Sequence, residues 1–266
     1  MRQTAKSAWR AAACAVAALL LQALPARAAA LALVLAIDVS ESVSTERYVL
    51  QHDGIARAFE TPALIEKIAA TPGGIEVLLL EWSDPGKSAV TVGWTRIADR
   101  AASLAFAAAV RNTHRTSRGL TAIGPALLAA AATFNRAPEP ADRRVIDISG
   151  DGMANIGVPP AEVRDRLVQS GITINGLAIV TEERWLEDYY RDNVIGGPAS
   201  FVLVARNMDS FAEAMLRKLV EEIALAPERH GPFARHATTP ATTRRGASTA
   251  SPSRLRSSDF RPGQMQ

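Results

Sequence analysis

The amino-acid sequence predicts an α/β fold: a doubly wound, mostly parallel sheet with one antiparallel edge strand and helices on both faces. Two observations favour this class. Short, continuously apolar runs such as residues 31–38 are typical of strands that are buried on both faces of a sheet. These runs mostly alternate with helical stretches, and that alternation indicates a parallel sheet covered by helices.

The individual elements follow from local patterns in chain order. Residues 31–38 form the predicted central strand, and residues 44–60 form a helix that Ser44 caps. Strands at 75–82 and 89–94 flank the turn Asp84-Pro85-Gly86, so they form a hairpin that supplies the antiparallel edge. The remaining predictions are helices at 98–111, 122–134, 160–169, 182–191 and 208–224, and strands at 144–148, 172–179 and 201–204.

Residues 1–28 have the composition of an export signal. Basic residues precede an apolar run at 11–24, Pro25 ends that run, and Ala26-Arg27-Ala28 offers a cleavage site between small residues. The run is shorter than the roughly 20 residues of a membrane-spanning helix. An uncleaved anchor continuing into residues 29–37 is the alternative, against which Pro25 and Arg27 argue. We therefore expect a periplasmic or secreted protein that has lost Cys14, its only cysteine.

The basic charge of the chain lies in its two ends. The formal net charge is +3, yet residues 1–28 carry +4 and residues 227–266 carry seven arginines against two acids, so residues 29–226 carry −6. This distribution disfavours a nucleic-acid-binding domain. The segment 227–266 is rich in Pro, Ser, Thr and Arg and predicts a disordered basic tail, either merely solvated or in electrostatic contact with an anionic envelope surface. Residues 29–226 are then the folded domain.

Three predicted loops carry oxygen ligands at one rim of the sheet. Asp38, Ser40 and Ser42 follow the first strand, Thr121 precedes a helix, and Asp151 follows the apolar strand at 144–148. Hydroxyls and carboxylates suit Mg²⁺, Mn²⁺ or Ca²⁺. Taken singly, the serines and Thr121 could be helix caps and Asp151 a turn residue. Because ligands of such sheets bind beyond the carboxyl ends of the strands, the set together predicts one metal site.

These residues resemble the metal-ion-dependent adhesion site of von Willebrand factor type A domains, over roughly residues 31–224. More narrowly, EWS (81–83), TAIG (121–124), VIDISGDG (145–152), GITINGL (171–177) and YYRDNVIGGP (189–198) are similar to an uncharacterised family of exported bacterial proteins, domain of unknown function 1194. The sequence departs from the adhesion-site pattern at Glu41, which lies between the two serines, and at Arg118-Gly119-Leu120-Thr121, which lacks paired glycines.

The resemblance implies a ligand set and a mode of binding. Ser40, Ser42 and Thr121 would contact the metal through their hydroxyls, and Asp38 and Asp151 mainly through bound waters. One open coordination position would accept a carboxylate from a protein or peptide partner, with Mg²⁺ the expected ion. We therefore expect a non-enzymatic, monomeric binding module. The alternatives are a Mg²⁺-dependent hydrolase that uses Asp38 and a scaffold that binds no metal.

Other polar residues give weaker indications. His52-Asp53 could suggest a catalytic pair, but adjacent helical positions point apart, so we expect a solvated helix face. His114 with Arg115 and Arg118 forms a basic loop that could flank an acidic ligand. Asp147 is expected to be a satisfied buried acid, and no familiar hydrolase or phosphate-binding motif is present.

Overall fold

A six-stranded sheet forms the centre of the protein in the computed structural model, which describes residues 28–180, 185–206 and 210–225. The strand order is β3-β2-β1-β4-β5-β6, with β3 antiparallel to β2 and every other neighbouring pair parallel. The strands are β1 (Ala29–Asp38), β2 (Ile75–Trp82), β3 (Ser88–Ile97), β4 (Ala141–Gly150), β5 (Ile172–Ile179) and β6 (Val202–Ala205). The predicted fold class is confirmed, including the central first strand and the antiparallel edge.

Seven α-helices cover this sheet within the described residues. They are α1 (Thr45–Glu60), α2 (Pro62–Ala70), α3 (Arg100–Arg111), α4 (Ile123–Thr133), α5 (Pro160–Gln169), α6 (Leu186–Asn193) and α7 (Phe211–Ala224). None of the helices in this part of the chain has the length and apolarity that a membrane crossing requires. The predicted leader, apart from Ala28, and the predicted tail lie outside the described residues.

The alternation of side chains along β1 builds two separate cores. Leu31, Leu33 and Leu35 pack with apolar residues of α1, α2, α3 and α7 on one face. Val34 and Ala36 pack with residues of α4, α5 and α6 on the other face. All ten residues of β1 are buried, as a central strand with helices on both faces requires.

The structure contains one helix that the sequence does not predict, and the ends of several elements differ from the predicted ones. The helix α2 was not predicted, because Thr61-Pro62 interrupts the apolar pattern that continues from α1; Pro62 occupies the first turn, where its missing N–H costs little. The strand β3 continues to Ile97, beyond the predicted end at 94. Among the described residues α6 starts at Leu186 and α7 at Phe211, and the predicted starts at 182 and 208 lie outside the description.

Asp147 is a buried acid, as the sequence indicates, but only one of its two carboxylate oxygens has a partner among the described residues. Its Oδ1 lies 2.5 Å from Nζ of Lys218 on α7, and both side chains are almost completely buried. A buried ion pair of this kind is costly to break from one side, since the remaining charge is left without a partner. It therefore joins α7 to the middle of the sheet.

Candidate functional site

The three predicted loops meet at the carboxyl rim of β1 and β4. The backbone N–H of Glu41 donates to the carbonyl of Gly119 at 2.8 Å, which joins the loop after β1 to the loop before α4. The latter is tied to the loop after β4, because Thr121 N–H donates to Asn155 Oδ1 at 2.9 Å and Asn155 N–H donates to the Thr121 carbonyl at 3.0 Å. Backbone and amide bonds thus bring all three loops together.

Asp38 lies at the base of this cluster. It is the last residue of β1 and has no exposed surface. Its Oδ1 accepts a hydrogen bond from the Ser40 N–H at 2.7 Å, whereas its Oδ2 has no partner among the described residues. Burial raises the pKa of the Asp38 carboxyl to about 7, although the bonds from Ser40 partly oppose this. The protein therefore holds a buried acid whose charged form is only partly compensated.

A chain of side-chain hydrogen bonds runs from the loop after β1 to the loop after β4. The hydroxyls of Ser40 and Ser42 are 3.1 Å apart, and Ser42 Oγ donates to Asp151 Oδ1 at 2.6 Å. The other carboxylate oxygen of Asp151 accepts from Arg47 Nη1 at 3.2 Å. Asp151 is therefore more than a turn residue, because its carboxylate bonds Ser42 in the loop after β1 and Arg47 in the first turn of α1.

Thr121 lies beside this chain and does not act as a helix cap. The residue at the cap of α4 is Ala122, and no side chain accepts a capping bond there. Thr121 Oγ1 is 4.0 Å from the position that a Cβ on Gly152 would occupy, next to Asp151 in sequence. The structure thus joins Asp38, Ser40, Ser42 and Asp151 by hydrogen bonds and places Thr121 beside the loop that carries Asp151. In no part of the described ranges do three or more His, Cys, Asp or Glu side chains group as metal ligands.

Two arginines shape the site: Arg47, which no sequence pattern places there, and Arg115 of the predicted basic loop. Arg47, in the first turn of α1, pairs with Asp151. Arg115 donates to three backbone carbonyls of the loop after β1: Val43 at 2.7 Å, Val39 at 2.6 Å and Ser40 at 2.5 Å. Arg115 of the predicted basic loop therefore has a structural role at the site. Its guanidinium fixes the backbone that carries Ser40 and Ser42.

A buried carboxylate supports the segment that contains Arg115. Glu81 Oε2 accepts from the N–H and the hydroxyl of Thr116 at 2.8 and 2.7 Å, and Glu81 Oε1 accepts from the Tyr48 hydroxyl at 2.8 Å. Burial alone would raise the pKa of the Glu81 carboxyl, but contacts with His52, Thr116 and Tyr48 outweigh it and hold the pKa below its usual value. Glu81 thus remains ionised and anchors the segment next to Arg115.

His52 belongs to this buried network, so the expectation of a solvated face is wrong for it. Only 4% of His52 is exposed, its Nδ1 is 2.9 Å from the Tyr48 carbonyl, and its Nε2 is 3.1 Å from Glu81 Oε1. Asp53, its neighbour in sequence, instead pairs with Arg57 and Arg111 nearer the surface. The two residues do point apart as predicted, but one of them points inward, because α1 lies against the sheet.

Solved structures share this fold at low sequence identity. The proximal thread matrix protein 1 of the mussel byssus, in a form with a zinc-occupied MIDAS motif, matches with a TM-score of 0.54 and 16% identity over 74% of this chain and 46% of that one. The von Willebrand factor domain of the type V pili tip protein Mfa5 from Porphyromonas gingivalis matches with a TM-score of 0.54 and 11% identity, over 76% and 98%. The pilus adhesin SpaC from Lactobacillus rhamnosus GG matches with a TM-score of 0.54 and 15% identity, over 73% and 30%.

These matches establish a von Willebrand factor A-like fold and confirm that part of the resemblance. The chain spans less than half the length of the mussel protein that it matches. No curated protein matches its sequence. Residues 28–227 match the family described as "Protein of unknown function (DUF1194)", and the chain therefore belongs to that family.

Proposed function

We propose that this chain is a non-enzymatic binding module that holds a divalent cation and through it recognises a carboxylate on a protein or peptide partner. The proposed ligands are Asp38, Ser40, Ser42, Thr121 and Asp151, with Mg²⁺ as the preferred ion and Mn²⁺ or Ca²⁺ as alternatives. The observation that carries the proposal is the hydrogen-bonded chain Ser40–Ser42–Asp151, which joins two loops above the buried Asp38.

The residues present fit a hard divalent cation. Asp38 is a buried carboxylate with one oxygen that has no partner, and a nearby positive charge would offset the cost of its ionisation. The neighbouring donors are hydroxyl and carboxylate oxygens, the ligand type of Mg²⁺, Mn²⁺ and Ca²⁺. The donor set therefore supports cation binding at the position that the sequence pattern predicts.

A bound divalent cation with an open coordination position would supply attraction for a carboxylate oxygen. The chain's own residues hold the ligands in place: Arg115 fixes the backbone of the loop after β1, and the mutual bonds of Thr121 and Asn155 fix the other two loops. Binding of a partner would then need little rearrangement, and this pre-organisation favours affinity.

Similar proteins support binding rather than catalysis. The matched structures include a pilus adhesin, the von Willebrand factor domain of a pilus tip protein and a byssus protein whose MIDAS motif holds zinc. The residue two positions after Asp38 is Ser40, where a phosphotransferase that uses the first acid would usually need a second carboxylate. We therefore favour adhesion-type recognition over hydrolysis.

We further propose that the protein acts outside the cytoplasm, as a monomer and without nucleic-acid partners. The export signal that residues 1–28 predict and the pilus proteins among the matched structures support this location. The acidic folded region disfavours nucleic acid. The basic tail would add a separate attraction to anionic envelope surfaces that weakens as ionic strength rises.

A metal-dependent capture experiment tests this function. Immobilised mature protein is incubated with envelope extract of the producing cells, with Mg²⁺ present. We expect a partner that EDTA releases, that added Mg²⁺ restores, and that Ser42→Ala fails to capture. Ser170→Ala is the matched control, because it removes a hydroxyl that bonds the Leu167 carbonyl at the end of α5. Capture that ignores EDTA and Ser42→Ala, but needs residues 227–266, would contradict the proposal and make the tail the binding element.

A further inference from the structure

The hydroxyl of Tyr190 is a buried polar group without a partner. Tyr190 lies on α6, is fully buried, and its OH makes no hydrogen bond to the described residues. Leaving a buried hydroxyl unpaired is unfavourable, and a phenylalanine at this position would avoid that cost. A tyrosine here therefore calls for a physical explanation.

The Tyr190 hydroxyl and Asp38 Oδ2, another buried oxygen without a partner among the described residues, face the same small space. A Cβ on Gly150 would lie 2.7 Å from Tyr190 OH and 3.0 Å from Asp38 Oδ2. Gly150 is the last residue of β4, one position before Asp151. The space over Gly150 thus lies inside the candidate cation site, and a methyl group would crowd both oxygens.

A second glycine, Gly176, leaves room for the phenol ring of Tyr190. A Cβ on Gly176 of β5 would lie 2.9 Å from Cδ1 of Tyr190. In the sheet Gly176 pairs with Ile148, two residues before Gly150, so the two glycines lie on adjacent strands beneath one ring. Their missing side chains form a slot that positions the ring and points its hydroxyl towards Asp38.

The phenol is suited to donate in this position. Burial, together with the charges of Asp38 and Asp151, raises the pKa of Tyr190 well above its usual value, so the hydroxyl keeps its proton at neutral pH. When a bound cation keeps Asp38 ionised, an uncharged donor next to it makes a charge-assisted hydrogen bond, which is stronger than a neutral one.

We propose that Tyr190 is a positioning residue of the cation site: when the cation is bound, its hydroxyl donates to Oδ2 of Asp38 through one water over Gly150. Asp38 is then held from both sides, by Ser40 N–H on Oδ1 and by the phenol on Oδ2. This role rests on the proposed cation binding. It explains why the fold retains a hydroxyl that packing alone does not need.

The variant Tyr190→Phe in the mature protein separates this role from packing. We expect the metal-free protein to keep or slightly raise its Tm, because an unpaired buried hydroxyl is removed. Mg²⁺ affinity, measured by titration calorimetry, should fall by about tenfold, within the range expected for a hydrogen bond to a charged group. Mg²⁺ should also produce an ultraviolet tyrosine difference spectrum in the wild type that the variant lacks.

The adjacent tyrosine supplies a matched control. The hydroxyl of Tyr189 accepts from the Ala154 N–H at 3.1 Å, so Tyr189→Phe removes a bond that is already formed. We expect it to lower the Tm of the metal-free protein and to leave the Mg²⁺ difference spectrum in place. Gly150→Ala should weaken Mg²⁺ binding, and less so when combined with Tyr190→Phe, because the phenol oxygen that its Cβ would crowd is then absent.

The possible outcomes distinguish this inference from the proposed function. If Tyr190→Phe lowers the Tm and leaves Mg²⁺ affinity unchanged, Tyr190 is a packing residue and the positioning role is overturned, while cation binding stands. If the wild type itself binds no Mg²⁺, Mn²⁺ or Ca²⁺, the proposed function is overturned first, and the positioning role with it.

Discussion

At the scale of single residues, Arg47 carries the charge that most directly opposes a cation at the site. Its Nη1 is 3.2 Å from Asp151 Oδ2, so it forms an ion pair with one of the proposed metal ligands. We predict that Arg47→Gln increases Mg²⁺ affinity by about threefold to tenfold, since it removes electrostatic repulsion and frees the carboxylate. Titration calorimetry measures the change. Arg57→Gln is the control: Arg57 lies on the same helix but pairs with Asp53, so this variant should keep the wild-type Mg²⁺ affinity. If Arg47→Gln keeps the wild-type affinity as well, the charge of Arg47 does not act on the site.

The sequence indicates which residues lie at the site better than it indicates what surrounds them. Asp38, Ser40 and Ser42 are near in sequence, and their convergence with Asp151 follows from the common edge at which parallel strands end. Arg47 and Arg115 reach the site through a helix orientation and a loop path that no local pattern encodes. The same limit explains why His52 was expected at the surface: charge alternation along α1 does not show which polar residue meets a buried acid such as Glu81.

At the scale of elements, Arg115 links its own segment, which precedes α4, to the loop after β1. Arg115 donates to the carbonyls of Val39, Ser40 and Val43 with three hydrogen bonds from two nitrogens. The single amine of lysine cannot reproduce this fork. We predict that Arg115→Lys weakens Mg²⁺ binding by about tenfold, although Arg115 is not a proposed ligand.

Calorimetry together with circular dichroism tests the role of Arg115, since the fold should be retained. Arg111→Lys is the control, because Arg111 pairs with Glu60 and Asp53 nearer the surface, away from the site. Unchanged affinity in Arg115→Lys would mean that the loop after β1 holds its shape without the guanidinium.

Strands and helices are predicted correctly where buried apolar residues dominate the sequence pattern. They are missed where a helix-ending sequence interrupts that pattern. The limits of β2 and β5 agree with the predicted ones, because each is a largely apolar run that begins directly after a glycine, Gly74 or Gly171. The sequence does not predict the helix α2, because Thr61-Pro62 is typical of a helix end. In the structure Thr61 ends α1 and Pro62 begins α2. Such a junction depends on packing against α7 and α3, which local sequence does not report.

At the scale of the whole molecule, the sheet order explains why one rim collects the candidate site. The central strand β1 pairs with β2 on one side and with β4 on the other, and all three are parallel. Their carboxyl ends therefore meet, so Asp38 lies between the strand ends that lead to Asp84 and Asp151. The predictions for the ends of the chain, a leader removed after Ala28 and a disordered tail at 227–266, concern residues outside this sheet and remain predictions.

The measurement that tests the central claim most directly is titration of Mg²⁺ into the mature wild-type protein and into its Asp151→Ala variant. We predict one Mg²⁺ per chain in the wild type. The variant should bind at least tenfold more weakly, which corresponds to about 1.4 kcal/mol, because it loses an acid that lies within 2.6 Å of the Ser42 hydroxyl. Equal affinity in the two proteins would remove Asp151 from the site, and no Mg²⁺ binding by the wild type would contradict the account as a whole.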